Sequence, residues 1–269
     1  DATLGYGGHT LELLKAGAKV VGIDQDADLL ELTQARITEA GLSDNFTPIH
    51  SSFAATLESD RLVNESFDGI LFDLGVSSYQ LDTPERGFSF RYDAPLDMRM
   101  NKDLAVTARD LINGLGKNEL VELFETLDEE RAAKKIVAAI IERRRIKPIE
   151  TTKQLALLIE KLIPKRGKIH PATKVFQALR MAVNTEREEL KAALPSALSK
   201  LARDGKLVVI TFHSLEESIV SEFFAANESS IELLTKDPIL TSPAEIMNNP
   251  RSRSAKLHYG RKLWNLSNY

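Results

Sequence analysis

Two carboxylates stand where this sequence can do chemistry, because each of them closes a short apolar run. Asp24 ends a run of six residues and Asp73 a run of seven. Runs of this length are typical of buried parallel strands, and open sheets of such strands bind ligands at their carboxyl ends. There a carboxylate can accept hydrogen bonds from hydroxyl, ammonium or amino groups. His213 follows a similar run, where an imidazole could take up a proton or hydrogen-bond neighbouring loops.

A glycine-rich turn opens the sequence, and glycine lets a chain turn sharply and a ligand approach the backbone. The residues of this turn are Gly5, Gly7, Gly8 and His9. The dinucleotide fingerprint needs a third glycine three residues after the second, but Thr10 stands there, which disfavours a nicotinamide cofactor. The spacing instead fits the Asp-x-Gly-x-Gly-x-Gly turn of methyltransferases that use S-adenosyl-L-methionine (AdoMet), with Thr3 at the first glycine position.

Two later residues suit the nucleoside part of such a cofactor. Asp24 lies nineteen residues after Gly5, where an acidic residue can accept both ribose hydroxyls. Alternatively, Asp24 caps the helix that follows, although Asp26 is better placed for that task. Phe53 follows the next predicted strand, where its ring would pack on the adenine or simply join the core.

A long segment without helical or strand periodicity runs from Asp73 to about Met100. Such segments are usually functional or disordered, and the apolar side chains here favour an ordered loop at the mouth of the sheet. Ser77 and Ser78 are candidates for orienting a substrate base or for capping within the loop. Three aromatic residues could stack on bases or pin the loop to the core, and three arginines could bind phosphates or form internal salt bridges. These residues are Phe88, Phe90, Tyr92, Arg86, Arg91 and Arg99.

The order of the patterns predicts an α/β fold. Strands and helices alternate at both ends of the chain, which indicates βαβ units and a parallel sheet, whereas the pattern from about Thr107 to Arg203 is helical throughout. We therefore expect a Rossmann-like domain made of residues 1–98 and 183–269, with an all-helical domain inserted at 99–182. A strand in the middle of the sheet is also expected ahead of Asp1. The predicted elements are the helices His9–Ala16, Ala27–Ala40 and Leu215–Ala225 and the strands Lys19–Asp24, Phe46–His50, Phe67–Asp73 and Lys206–Phe212.

Composition narrows the class of protein. The 269 residues carry a net charge of −4 and include no cysteine, which excludes disulfides, thiolate metal sites and a cysteine nucleophile. No apolar run is long enough to cross a membrane and no secretory signal is present, so we expect a cytoplasmic protein. No cluster of His, Asp or Glu has metal-ligand spacing, and we expect no metal.

Charge is distributed unevenly along the chain. Between Arg131 and Arg187, fifteen Lys and Arg stand against four Asp and Glu, so this block carries +11 and the remainder carries −15. Such asymmetry indicates a basic surface for a polyanion, or else several helices with solvated basic faces. The basic segment around Arg251 and Arg253 has two similar interpretations, a solvated tail or a strap that reaches RNA or closes the site.

Several motifs cover nearly the whole chain: Gly5–His9, Asp24–Asp26, Asp73–Asp82, Glu85–Phe90, Pro95–Met100, Phe176–Arg180, Val183–Asn184, Phe212–Glu216 and Asn249–Leu257. Together and in this order they resemble the bacterial small-subunit ribosomal RNA (cytosine-N4) methyltransferases. The resemblance implies an AdoMet-dependent Rossmann-like fold with an inserted helical domain. It also implies methyl transfer to the exocyclic N4 of a cytosine of 16S rRNA, in the decoding centre of the small ribosomal subunit.

The resemblance and the residue types together give three sets of expected contacts. AdoMet contacts are expected from Gly5, Gly7, Gly8, His9, Asp24, Phe53, Asp73 and Gln80. RNA contacts are expected from Arg86, Phe88, Phe90, Arg99, Arg180, Arg251 and Arg253. The candidates for action at the reacting amino group are Asp73, Ser77, Ser78 and His213.

Two other functions fit parts of the sequence. A DNA cytosine-N4 or adenine-N6 methyltransferase would use the same cofactor, although such enzymes often carry Asp/Asn-Pro-Pro-Tyr/Phe where this chain has Asp73-Leu74-Gly75-Val76. A non-catalytic ribosome-assembly factor would keep the basic surface beside a degenerate cofactor site, and the intact Asp24 and Asp73 argue against it. The oligomeric state stays open between monomer and homodimer.

Overall fold

The computed structural model of the chain describes residues 1–125, 130–163 and 170–263. The chain divides into two compact units, one formed by Asp1–Val76 with Arg187–Tyr269 and the other by Ser77–Glu186. The predicted insert, residues 99–182, lies within the second unit, which begins earlier than predicted. The reason is that the segment after Val76 hydrogen-bonds to residues later in the same unit, as when Leu96 N donates to Glu150 O at 3.0 Å.

The first unit begins with the predicted alternation of helices and strands. Its elements up to Val76 are α1 (Gly8–Lys15), β1 (Val20–Asp24), α2 (Ala27–Glu39), β2 (Phe46–His50), α3 (Phe53–Glu58) and β3 (Phe67–Asp73). Local sequence explains these elements. Helix α2 buries Leu29, Thr33 and Ile37, which lie on one side of the helix because they are four residues apart. Ser52 caps α3 by accepting a hydrogen bond from Ala55 N at 3.2 Å.

The second unit is helical. It contains α4 (Ser78–Asp82), α5 (Ala108–Gly114), α6 (Lys117–Glu125), α7 (Glu130–Ile146), α8 (Thr152–Leu162) and α9 (Ala172–Val183). Its core includes the buried side chains of Ile112, Leu120, Phe124, Ile140, Leu155 and Ile159. Helix α4 corrects the prediction that the segment from Asp73 to Met100 has no regular structure. Five residues are little more than one turn, so no apolar period can reveal such a helix.

The remaining elements follow the second unit along the chain. They are α10 (Glu186–Lys200), β4 (Leu201–Thr211), α11 (Ser214–Ala226), β5 (Ile231–Leu233), β6 (Ile239–Leu240), α12 (Pro243–Asn248) and β7 (Lys256–Lys262). The basic segment around Arg251 and Arg253 is not a tail, because it forms the 3-10 turn Pro250–Ser254 that leads into β7.

Hydrogen bonds order the strands of the first unit. Strand β1 pairs with β2 and β3 with β4 in parallel, whereas β7 lies antiparallel between β4 and β5 and also pairs with β6. Residues 1–4 join the two groups, because Ile23 N donates to Asp1 O at 2.9 Å and Ala2 N donates to Leu71 O at 2.8 Å. They take the central position, for which the sequence predicted a strand ahead of Asp1. Strand order reverses at this position, and open α/β sheets bind ligands at such a point.

The larger of two apolar clusters in the first unit is built from strand and helix residues. It contains Phe72, Leu190, Leu194, Ala197, Leu207, Val209 and Val220. This arrangement confirms the predicted fold class, a Rossmann-like α/β sheet interrupted by a helical segment. Among the helices of the described residues, none combines the length and apolar character needed to cross a membrane.

Candidate functional site

The glycine turn follows the central position of the sheet directly. Gly5 and Gly7 have φ values of 52° and 74°, a left-handed conformation that residues with a Cβ rarely adopt. A Cβ on Gly7 would also stand 2.5 Å from Thr33 Cγ2. Helix α1 begins at Gly8 without a side-chain cap, so the N–H groups of its first turn are available to a ligand.

Helix α2 holds two successive carbonyls of the glycine turn. Thr33 Oγ1 donates a hydrogen bond to Gly5 O at 2.8 Å. Arg36 donates to Tyr6 O, and its guanidinium lies 4.0 Å from the centre of the Tyr6 ring. Neither Thr33 nor Arg36 is predicted from sequence, because each acts on a turn about thirty residues earlier. Their spacing of three residues, which places both on one face of α2, is the only signal that could have indicated a shared role.

Asp24 binds the two backbone donors nearest to it. Its Oδ2 accepts from Gly5 N at 2.7 Å, and its Oδ1 accepts from Asp26 N at 2.9 Å. A carboxylate has about four acceptor positions, so both oxygens retain capacity for the hydroxyl groups of a ribose. Burial raises the pKa of Asp24 to about 6, although the two N–H donors act in the opposite direction. The alternative capping position belongs to Asp26, which is the N-cap residue of α2.

Asp73 has one paired oxygen and one buried oxygen without a donor. Oδ2 lies 3.3 Å from His9 Nε2, and this hydrogen bond raises the pKa of His9. Oδ1 is buried and has no hydrogen-bond partner among the described residues. Because a buried acceptor without a donor costs about 1–3 kcal/mol, Oδ1 is suited to an ammonium or amino group brought by a ligand. Thr3 Oγ1 accepts from Asp73 N at 2.6 Å and so fixes the end of β3.

Phe53 lies at the start of α3, just after β2. Its ring packs edge-on against Phe72, with 5.4 Å between the ring centres and 89° between the planes. Phe53 is only partly buried, so it joins the core while part of its ring stays accessible. Both predicted roles are therefore compatible with its position, the core contact directly and the adenine contact through the accessible part.

Ser77, Ser78 and Gln80 belong to the second unit, at the start of α4. Ser77 Oγ accepts from Gln80 N at 3.1 Å, and Gln80 Oε1 accepts from Ser77 N at 3.0 Å. This pair of bonds is a capping box, and it favours the capping alternative for Ser77. Gln80 is buried with its carbonyl oxygen in the box, whereas Ser78 is exposed at the first helical position.

His213 caps α11. Its Nδ1 accepts from Glu216 N at 3.3 Å, and its Nε2 lies 2.9 Å from Glu216 Oε1. Glu216 Oε2 in turn accepts from Phe212 N at 2.8 Å. This arrangement fits the alternative prediction for His213, a residue that holds the loop after β4. A role of His213 as general base stays a prediction.

Two arginines that were predicted to bind RNA form hydrogen bonds within the second unit. Arg86 is buried and donates to Arg99 O and Met100 O, both at 2.9 Å. Arg99 binds Asp97 through two hydrogen bonds of 2.8 and 2.9 Å and donates to two further carbonyls. These contacts favour the alternative of internal pairing for both residues, which holds the loop before Met100 in place, and phosphate contacts from them stay a prediction.

Of the other arginines predicted to bind RNA, one is paired with a carboxylate and three are exposed. Arg180 binds Glu186 through two hydrogen bonds of 2.8 Å, and both side chains are largely buried, so internal pairing is favoured while the RNA contact of Arg180 stays a prediction. Arg91, Arg251 and Arg253 are exposed and stay candidates for RNA contacts.

The aromatic residues of the loop differ in their accessibility. Phe88 is buried, with the Arg86 guanidinium 5.9 Å from its ring centre. Phe90 packs against His170 and Phe176, at ring-centre distances of 4.7 and 4.9 Å. For both rings the structure therefore favours the role of pinning the loop over that of stacking on bases. Tyr92 is 54% exposed and is the member of this group that an unpaired base could reach.

Comparisons with known proteins show which family the chain belongs to. The sequence model of the MraW methylase family matches residues 1–263. The chain belongs to the MraW methylase family. It is 44% identical over 97% of its length to "Ribosomal RNA small subunit methyltransferase H" of Trichormus variabilis, of which it covers 84%. It is 46% identical over 98% of its length to the protein of the same name from Trichodesmium erythraeum, of which it covers 91%.

A more distant similarity links the chain to a solved structure. An rRNA methylase from Streptococcus thermophilus aligns with 98% of this chain and 85% of its own, with a TM-score of 0.45 and 12% identity. Within the described residues, no group of three or more His, Asp or Glu side chains is arranged to hold a metal ion.

Proposed function

We propose that this protein transfers a methyl group from AdoMet to the exocyclic N4 of a cytosine in the decoding centre of 16S rRNA. The family match over residues 1–263 supports methyl transfer, and the near-full-length identity to relatives named for the small-subunit rRNA supports the substrate. A substrate of this kind also supports a cytoplasmic location, because the ribosomal subunits are there.

The residues of the first unit fit AdoMet. The glycine turn lets a ligand approach the backbone, and Asp24 has acceptor capacity for the two ribose hydroxyls. The observation that carries the site is Asp73 Oδ1, a buried acceptor that needs a donor such as the ammonium of the methionine part. Phe53 would offer the accessible part of its ring to the adenine. When bound, AdoMet supplies an electrophilic methyl group on a sulfonium, so the leaving group needs no acid.

The chain must then orient a weak nucleophile. The lone pair of the cytosine N4 is conjugated into the ring, and a site helps by accepting the N4–H hydrogen bonds and holding the nitrogen in line with the methyl group. Because Ser77 is used in the capping box, Ser78 and backbone carbonyls after Asp73 become the better candidates for these acceptors. We assign the second unit, Ser77–Glu186, to recognition of the RNA.

Labelled AdoMet and three nucleic acids would test the proposed function. The full-length protein is offered small ribosomal subunits from a strain that lacks the enzyme, naked 16S rRNA and duplex DNA, and the methylated nucleoside is identified by mass spectrometry. We expect N4-methylcytidine, or its 2′-O-methylated form, in the RNA samples. Label found in DNA alone would support the DNA methyltransferase instead, and a protein that binds RNA but not AdoMet would support the assembly factor.

Two variants connect that assay to the site. Asp73→Asn keeps the shape of the side chain but removes the carboxylate, and we expect it to lose the label. Asp44→Asn makes the same change at an exposed position of the first unit and should methylate like the wild type.

A further inference from the structure

The end of helix α7 carries a dense group of cations. Arg143, Arg144, Arg145 and Lys147 fall within five residues that include no acidic side chain. Cations are favoured at the C-terminal end of a helix because they offset the partial negative charge of its carbonyls. Arg143 serves this purpose, since it donates to Lys147 O at 2.8 Å. The helix end alone therefore explains part of the group, and the other members differ in what they contact.

The segment around the end of α7 is fastened to α5 on both sides. Arg144 donates to Ile112 O at 2.7 Å and to Leu115 O at 2.6 Å. Beyond the helix, Asn113 Nδ2 donates to Ile149 O at 2.8 Å, and Ile149 N donates to Asn113 Oδ1 at 3.0 Å. These four hydrogen bonds hold the chain before and after Arg145–Lys147, so these three residues form a fixed corner, which we name the α7 corner, rather than a fraying helix end.

The side chains of the α7 corner point away from this network. Arg145 and Lys147 are exposed, and Ile146 between them is 83% exposed. Glu142 and Glu150 flank the corner and are exposed as well, but no ion pair joins Arg145 or Lys147 to a carboxylate in the part of the chain that the structure describes. The corner thus presents two cations and one apolar side chain on a backbone that is already ordered.

We propose that the α7 corner binds the sugar–phosphate backbone of the substrate RNA. The inference rests on the proposed function, because it names the surface of the second unit that the RNA meets. A fixed pair of cations suits phosphates, and an ordered corner loses little conformational freedom on binding. Because most contacts of cationic side chains with nucleic acids go to phosphate oxygens, we expect the corner to position the RNA rather than to specify its sequence.

The test measures binding of the full-length protein to 16S rRNA as a function of salt concentration. The double variant R145Q/K147Q removes both charges, and the control K191Q/K236Q removes two exposed lysines of the first unit. Each lost phosphate contact should lower the slope of log K against log salt by about 0.7–0.9, so we expect a change of roughly 1.5 and a loss of affinity of about tenfold or more at 0.1 M salt. The control should keep both the slope and the affinity.

Further measurements on the same proteins decide the proposal. AdoMet affinity and the unfolding temperature should be unchanged in R145Q/K147Q, which shows that the variant is folded. Methylation of subunits should recover at saturating RNA, and a wild-type protein that binds RNA without methylating it would contradict the proposed function while leaving this surface intact. An unchanged salt slope in the double variant would overturn the proposal. The proposal would also be overturned if R145Q/K147Q bound RNA like the wild type but lost binding to anionic lipid vesicles.

Discussion

The carboxylates of the first unit and the arginines of the second unit come from equally clear motifs, yet they differ in how many hydrogen bonds they make within the protein. Asp24 and Asp73 accept some hydrogen bonds from the protein and retain acceptor capacity, in one case a whole buried oxygen. Arg86 and Arg99 donate to carbonyls and a carboxylate within their own loop. A carboxylate at a strand end is therefore a better ligand candidate than an arginine whose guanidinium bridges several groups of its own loop.

The largest effect that would test this comparison is expected at Asp73. In Asp73→Asn, an amide replaces the carboxylate whose Oδ1 has no donor, and its NH2 group would face an incoming donor or His9. We expect kcat/KM for methyl transfer to fall by about 10²–10³-fold, while RNA affinity stays within twofold. Steady-state kinetics with subunits and a separate RNA-binding assay measure the two quantities. Activity within threefold of the wild type would show that Oδ1 is not a ligand group.

A comparable change at Arg86 should affect stability instead. Arg86→Ala removes the donor from two carbonyls and the cation beside Phe88, and we expect a loss of about 3 kcal/mol in the free energy of unfolding. Denaturant unfolding measures it, with the exposed Arg91→Ala as control at less than about 0.5 kcal/mol. If folded Arg86→Ala bound RNA tenfold more weakly at unchanged stability, the assignment of Arg86 as structural would be wrong.

A smaller effect is expected at Thr33, which touches no ligand in this interpretation. Thr33→Val keeps a methyl group against Gly7 and removes the hydroxyl that binds Gly5 O. At about 1 kcal/mol for one hydrogen bond, the KM for AdoMet should rise about fivefold with kcat within twofold. Thr38→Val, exposed on the same helix, is the control. Thr33→Ser should restore the KM, and a fall in kcat without a change in KM would contradict a role in holding the turn.

The mildest test changes only pH. Asp24 accepts ribose hydroxyls best as a carboxylate, and its pKa is about 6, so AdoMet affinity should fall as pH drops through 6, by about tenfold at pH 5. The raised pKa also means that the folded state binds this proton more tightly than the unfolded state does. Asp24 therefore contributes a loss of stability as pH rises from about 4 to 6. Calorimetric titration from pH 5 to 8 checks the affinity, and an Asp24→Asn variant should show a flat profile.

Sequence reasoning performed best where function depends on a strand end. The carboxyl ends of β1 and β3 follow from apolar runs, so the fold class and the positions of Asp24 and Asp73 were predictable. It performed poorly in the segment from Ser77 to Met100, because whether an arginine or a phenylalanine faces solvent there depends on carbonyls and rings that are distant in sequence. Phe90, for example, packs on Phe176. The hydrogen bonds from Thr33 and Arg36 of α2 to the glycine turn were not predicted for the same reason.

The position of β7 has a consequence for the order in which the protein forms. Strand β7 lies between β4 and β5, and both β4 and β7 come after the helical unit in the chain. During synthesis the whole of Ser77–Glu186 emerges before the strands that cover the edge of β3. The first unit therefore waits for long-range pairings between the two ends of the chain, which are slow to form. Until β4 is made, one edge of β3 stays unpaired, and an unpaired strand edge can pair with another chain. We therefore expect the nascent chain to need most protection from aggregation at this stage.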